Sequence, residues 1–184
     1  AGSGLSRPSF GAGDGIWVVT ADGTLKVVRG DGSIADVPVD GLSKEAVLES
    51  IAVSRDGTRA ALVVRRGPRT SVLLAVIVLR EGTQRLQTPI RVENRLTSTV
   101  DVAWADDQAL AVIGAEGAQD AQVYQIDLAR STMRGLQAPP DPKRIAAAPG
   151  EPLLVGSGDG YLYSSTGGPW RQLVRASSPA YPGS

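Results

Sequence analysis

The chain contains no cysteine and no histidine. Those two absences exclude disulfides, thiolate nucleophiles, histidine general bases, and most zinc, copper and haem sites. A chain without cysteine fits any compartment, so the redox context stays open. Aromatic residues are scarce, with one Phe, four Tyr and three Trp. A core must therefore be built from Val, Leu, Ile and Ala. No apolar run approaches the ~20 residues of a membrane helix; the longest, Val72 to Leu79, has the length of a strand. No signal peptide is visible, and Ala1-Gly2-Ser3-Gly4 reads as a cut inside a longer protein or as a tag scar.

A net charge is missing as well, since nineteen Lys and Arg balance nineteen Asp and Glu. A zero balance gives no reason to expect nucleic-acid binding. The distribution is nevertheless uneven. Between residues 51 and 95, nine Arg stand against Asp56, Glu81 and Glu93, whereas between 96 and 140 six acids stand against Arg130 and Arg134.

What is present in quantity is glycine, at 22 residues, with 12 prolines, so the chain turns often. Its 184 residues are enough for one domain with a sizeable core. The clearest stretch is Ser50 to Arg65: a strand at Ile51 to Ser54, a turn at Arg55-Asp56-Gly57-Thr58, and a second strand at Ala60 to Val64. Asp-Gly suits such a turn because Gly tolerates positive φ and Asp hydrogen-bonds its own backbone.

Similar strand and turn signals recur along the chain. A first unit reads as Leu5 to Phe10, Ile16 to Thr20, Thr24 to Arg29 and Ile34 to Val39, with Gly11-Ala12-Gly13-Asp14-Gly15 turning the chain between the first two. The second continues from the opening hairpin through Arg66-Gly67-Pro68-Arg69 into Ser71 to Arg80 and Arg85 to Val92. The third has Thr99 to Trp104, Ala109 to Gly114, Ala121 to Leu128 and a weaker strand at Met133 to Gln137. The fourth has Arg144 to Ala148, Pro152 to Ser157, Tyr161 to Ser165 and Trp170 to Val174. The first strands end at Ser9, Ser54, Trp104 and Ala148, spaced by 45, 50 and 44 residues. Four short strands in a period of roughly 40–50 residues predict an all-β fold, a β-propeller of four-stranded antiparallel blades. A β-sandwich is the alternative architecture. The expected blades are residues 5–42, 47–93, 97–138 and 142–176, followed by a tail at 177–184.

The wording of the repeat adds a resemblance. Leu5-Ser6-Arg7-Pro8-Ser9-Phe10, the run from Val53 through Ser54-Arg55-Asp56-Gly57-Thr58 to Val63, Asp101-Val102-Ala103-Trp104, Ala146-Ala147-Ala148-Pro149-Gly150 and Pro179-Ala180-Tyr181-Pro182-Gly183 occur in order over nearly the whole chain. Together they resemble the C-terminal β-propeller of the actinobacterial LpqB lipoprotein family. The Ser-Arg-Asp-Gly turn by itself would not carry this, because TolB-like propellers have a similar turn in many blades. The resemblance implies a lipobox cysteine upstream, anchoring the protein outside the cytoplasmic membrane, and a GerMN-type domain between anchor and propeller. It also implies an accessory role toward the MtrA–MtrB two-component system, acting on the extracytoplasmic part of the sensor kinase. None of those upstream parts lies in this sequence. The expectation is then that these blades are the last part of a larger ring, and that the incomplete ring self-associates through apolar faces on its flanking blades.

Six Asp-Gly dipeptides, at Asp14, Asp22, Asp31, Asp40, Asp56 and Asp159, invite a calcium or acid–base reading. A calcium loop needs several carboxylates at close fixed spacing, as in Asp-x-Asp-x-Asp-Gly, and no such run occurs. All six read as turns, and no metal or cofactor is expected. Gly11-x-Gly13-x-Gly15 and Gly156-x-Gly158-x-Gly160 do not match Gly-x-Gly-x-x-Gly and lead into no helix that could hold a phosphate. Trp17 and Trp104 fall inside strands and read as core, while Trp170 follows Gly168-Pro169 and reads as more exposed.

Three functional readings follow. A protein-binding module is favoured, with Arg65, Arg66 and Arg69 on one hairpin tip as the partner-facing residues. A basic second blade beside an acidic third would steer and orient such a partner. An enzyme of the glycosidase or lactonase kind would need paired carboxylates; Asp101 sits in a first strand, but the other first strands offer no second acid, so no catalytic residue is assigned. A small-ligand-sensing, TolB-like propeller is the third reading.

Overall fold

The structure is a computed structural model that describes residues 6–11, 15–92, 95–176 and 178–181. Of the expected turns, the segment from Ala12 to Asp14, with its Asp-Gly dipeptide, lies outside the described residues, as do Leu5 and parts of the C-terminal tail. Among the described residues there are sixteen strands in four sheets of four, each sheet a simple up-and-down meander in chain order. No helix among them is long and apolar enough to cross a membrane. The chain divides into two compact units, one up to Arg91 and one from Val92 onward.

The first unit holds two blades. The first is β1 (Ser9–Phe10), β2 (Ile16–Val19), β3 (Leu25–Val28) and β4 (Ile34–Asp36). The second is β5 (Ala46–Val53), β6 (Arg59–Arg66), β7 (Arg69–Arg80) and β8 (Thr83–Arg91). Strand residues alternate between the two faces of a sheet. In the first blade Trp17, Val19, Leu25 and Val27 all point one way. They pack against Leu48, Ile51, Val53, Leu62, Val64, Leu73 and Leu86 of the second blade in one buried cluster. Each of these larger aliphatic side chains contributes roughly 1.5–3 kcal/mol by leaving water. The link between the blades is also tied down. Residues 38–40 run beside β8, with Leu86 N–H donating to Pro38 O (2.9 Å) and Asp40 N–H donating to Leu86 O (2.8 Å). The Arg85 guanidinium forks onto both Asp40 carboxylate oxygens, which holds that carboxyl below the usual range.

The second unit is built the same way. Its blades are β9 (Leu96–Asp106), β10 (Ala109–Glu116), β11 (Gln122–Asp127) and β12 (Thr132–Leu136), then β13 (Pro142–Ala146), β14 (Leu153–Ser157), β15 (Tyr161–Ser165) and β16 (Arg171–Arg175). Ala103, Ala111, Ile113 and Val123 pack against Ile145, Ala147 and Val155. The Trp170 indole N–H donates to Gln137 O and its ring packs against this cluster. The Tyr181 hydroxyl donates to Pro152 O, tying the tail to the last blade.

Several strands run further than their apolar residues suggest. β5 begins at Ala46 rather than Ile51, and β9 covers Leu96–Asp106 rather than Thr99 to Trp104. Both contain β-bulges, at Leu48/Ser50 and at Thr99/Asp101. An extra residue breaks the two-residue period, so the hydrophobic alternation that marks a strand stops short of its real end.

The two units share a device at the blade joint. In the first, the buried Ser9 Oγ accepts a 2.8 Å hydrogen bond from the backbone N–H of Val53. In the second, the buried Asp101 Oδ2 accepts one of 2.9 Å from the backbone N–H of Ile145. In each case the acceptor precedes the donor by 44 residues, one blade.

Candidate functional site

The β6–β7 hairpin carries the three arginines singled out from the sequence. Arg66 and Arg69 are directly opposite each other in the ladder and close a two-residue turn of Gly67 and Pro68. Gly67 has φ +57°, which favours glycine, and the ring of Pro68 fixes its own φ. The tip is thus a stiff projection, with residues 65–69 all exposed.

The structure separates the three guanidinium groups. Directly opposite residues share a face and neighbours along a strand do not, so Arg66 and Arg69 project together while Arg65, opposite Thr70, lies on the other side. Arg65 Nε donates to Glu49 Oε1 at 2.7 Å. Glu49 is the extra residue of the β5 bulge. No sequence signal marks Glu49 as this partner, because the pairing of β5 with β6 cannot be read from its neighbours.

Some cations of the chain meet carboxylates: Lys26 with Asp36, Arg85 with Asp40, Arg130 with Asp127, and Lys143 with Asp141. Among the described residues neither Arg66 nor Arg69 has such a partner. Two like charges placed directly opposite cost a few tenths of a kcal/mol, and among the described residues no carboxylate pairs with either. A guanidinium group has the fork geometry that binds a carboxylate bidentately.

The Asp-Gly turns show why their carboxylates belong to the fold. Asp56 Oδ1 accepts from the Ser54 hydroxyl at 2.5 Å and the Thr58 N–H at 3.1 Å, and Oδ2 accepts from the Thr58 hydroxyl at 2.8 Å. These bonds, led by that of Ser54, lower its pKa to about 2. Asp22 is held the same way by Thr20 and Thr24, and Asp159 by the Tyr163 hydroxyl and the Tyr161 N–H, each below the usual carboxylate range. Among the described residues no group of three or more acids is placed to hold a metal ion. Asp101 spends an oxygen on the blade joint, and Trp17 and Trp104 are buried.

Comparison with known proteins fits this geometry. A family profile described as the lipoprotein LpqB beta-propeller domain matches residues 1–182. Proteins named lipoprotein LpqB are similar throughout. That of Thermobifida fusca is 33% identical over 172 residues, covering 91% of this chain and 26% of the relative. That of Streptomyces avermitilis is 29% identical, covering 97% and 31%, and that of Mycobacterium tuberculosis 30%, covering 90% and 29%. The chain thus spans less than a third of the length of these relatives. They are named as lipoproteins and not as enzymes. Among solved structures, a glucose dehydrogenase superposes with a TM-score of 0.59 at 13% identity, covering 98% of this chain and 70% of that one. A Dos1 propeller gives 0.57 at 9%, covering 87% and 44%. At such identities these two show the fold alone. With its four antiparallel blades and a profile match that runs almost end to end, the chain belongs to the LpqB β-propeller family.

Proposed function

We propose that this chain is the protein-binding propeller of an envelope lipoprotein, held outside the cytoplasmic membrane, where it modulates a two-component sensor kinase of the MtrA–MtrB type. The contact is made to the extracytoplasmic part of the kinase. The family supports the envelope location, since the relatives are named as lipoproteins. The observation that carries a binding role is the β6–β7 tip: two exposed arginines, fixed opposite each other on a stiff turn and left without carboxylate partners. Such a tip suits an acidic patch on a protein. Its exposed charges would act on the association rate and fade with salt.

The experiment is a binding titration of the extracytoplasmic kinase domain against the chain and its Arg66→Glu/Arg69→Glu variant. At low salt the double variant is expected to bind at least tenfold more weakly, with the gap narrowing at high salt. Equal affinity at low salt refutes the role of the tip, and no binding by the parent chain refutes the partner.

A further inference from the structure

Five Asp-Gly dipeptides lie wholly within the described residues, and four of them share one geometry. In those four the glycine N–H donates to the carbonyl three residues back: Gly23 to Thr20, Gly32 to Arg29, Gly57 to Ser54 and Gly160 to Ser157, at 2.8–3.1 Å. The aspartate Oδ1 accepts from the N–H of the residue after the glycine, at 2.8–3.3 Å. Asp40-Gly41 departs from this pattern. The Gly41 N–H has no hydrogen-bond partner among the described residues. The Asp40 carboxylate turns instead to Arg85 of β8, whose Nε donates to Oδ2 at 3.1 Å and whose Nη2 donates to Oδ1.

An aspartate followed by glycine can cyclise on its own backbone. The glycine nitrogen forms a bond to the side-chain Cγ and loses its proton, and a carboxyl oxygen leaves as water. The five-membered succinimide then takes water back. Opening at the main-chain carbonyl of the aspartate leaves the chain running through Cγ, an isoaspartate of unchanged mass, with nothing oxidised or reduced. Two restraints oppose the first step. A glycine N–H bonded to a carbonyl is a poorer nucleophile, and a carboxylate held ionised by donors neither turns nor loses water. The four shared turns have both restraints, whereas Asp40-Gly41 has only the Arg85 fork. Glycine also offers no Cβ to screen the nitrogen, and the Asp40 and Arg85 side chains are 37% and 33% exposed, so water reaches them. We infer that Asp40-Gly41 is the site at which this chain converts to isoaspartate, and that Arg85 sets the rate. The conversion adds one main-chain atom between Val39, bridged to Leu86, and Gly41, which lies against Thr88. It therefore loosens the link between the two blades of the first unit.

The test is prolonged incubation of the chain in warm neutral buffer, beside Arg85→Met and Arg85→Lys variants, with isoaspartate located by peptide mass spectrometry. The tryptic peptide from Gly30 to Lys44 holds both Asp31-Gly32 and Asp40-Gly41, so fragmentation assigns the position. Isoaspartate at Asp40 is expected to accumulate at least threefold faster in Arg85→Met than in the parent, with Arg85→Lys, which keeps the charge and loses the fork, between them. The other four dipeptides, read in the same digests, are expected to hold the parent's rate. If Arg85→Met melts well below the parent, Arg85→Lys decides, and Asp40 alone must rise in it. An unchanged rate at Asp40 overturns the inference. So does a rise at all five dipeptides together, which would mark general unfolding, or a parent chain that converts faster at Asp31 than at Asp40.

Discussion

Removing the Asp101 carboxylate tests how the blades are joined. Asp101 is buried, and its Oδ2 takes the Ile145 N–H at 2.9 Å. Asp101→Ala leaves that donor buried without its acceptor, and an orphaned buried partner costs about 1–3 kcal/mol, so about 2 kcal/mol is the working figure. For a chain of this size each kcal/mol moves the melting temperature by ~2–4 °C, which gives a fall of about 4–8 °C. Asp101→Asn keeps an amide oxygen for the same N–H and should lose less than half as much. Ser9→Ala removes the matching acceptor of Val53 in the first unit, a neutral hydroxyl, and should cost about 1 kcal/mol. Calorimetric melts of the four proteins at neutral pH give the ranking. An Asp101→Ala variant that melts within 2 °C of the parent, or an Asp101→Asn variant that melts as low as the alanine variant, would show that the carboxylate does not act as a joint; the 2 °C margin is roughly one kcal/mol or less.

Three further outcomes follow from the geometry. Asp56 has its pKa depressed to about 2, so its turn contributes stability that is complete above the unfolded carboxyl value and is lost as pH falls through about 2. Complete conversion would be on the order of 2.5 kcal/mol, but the group is exposed and screening reduces this to roughly 1 kcal/mol; Asp56→Asn should flatten the stability profile between pH 4 and 2, measured by urea unfolding at each pH, with those bounds set by approximate carboxyl values. Gly114 lies at the β9 bulge, where an added Cβ would sit 2.6 Å from the Ser98 carbonyl oxygen; Gly114→Ala should destabilise by about 1–3 kcal/mol in the same assay. Glu49→Gln frees Arg65 from an exposed ion pair, so stability should change by less than ~0.5 kcal/mol while low-salt binding to the acidic partner tightens.

The sequence by itself determined the blades. Asp-Gly and Gly-Pro turns at short intervals, β-branched runs between them and a repeat near 45 residues leave little but a stack of four-stranded meanders, because turn chemistry and two-residue alternation are local properties. The absence of histidine and cysteine is equally final. The tertiary structure decided which residues meet. Glu49 meets Arg65 and Asp101 meets Ile145 across a ladder and across a blade joint, pairings that no local pattern places together. Thr99 and Asp101 are two apart in sequence, yet the bulge puts them on opposite faces. Likewise, Phe10, Ile16, Val28 and Ile34 become a single row only when the register of three ladders is known. Local sequence sets where a strand turns; register and bulges, fixed by packing between blades, set what its side chains touch.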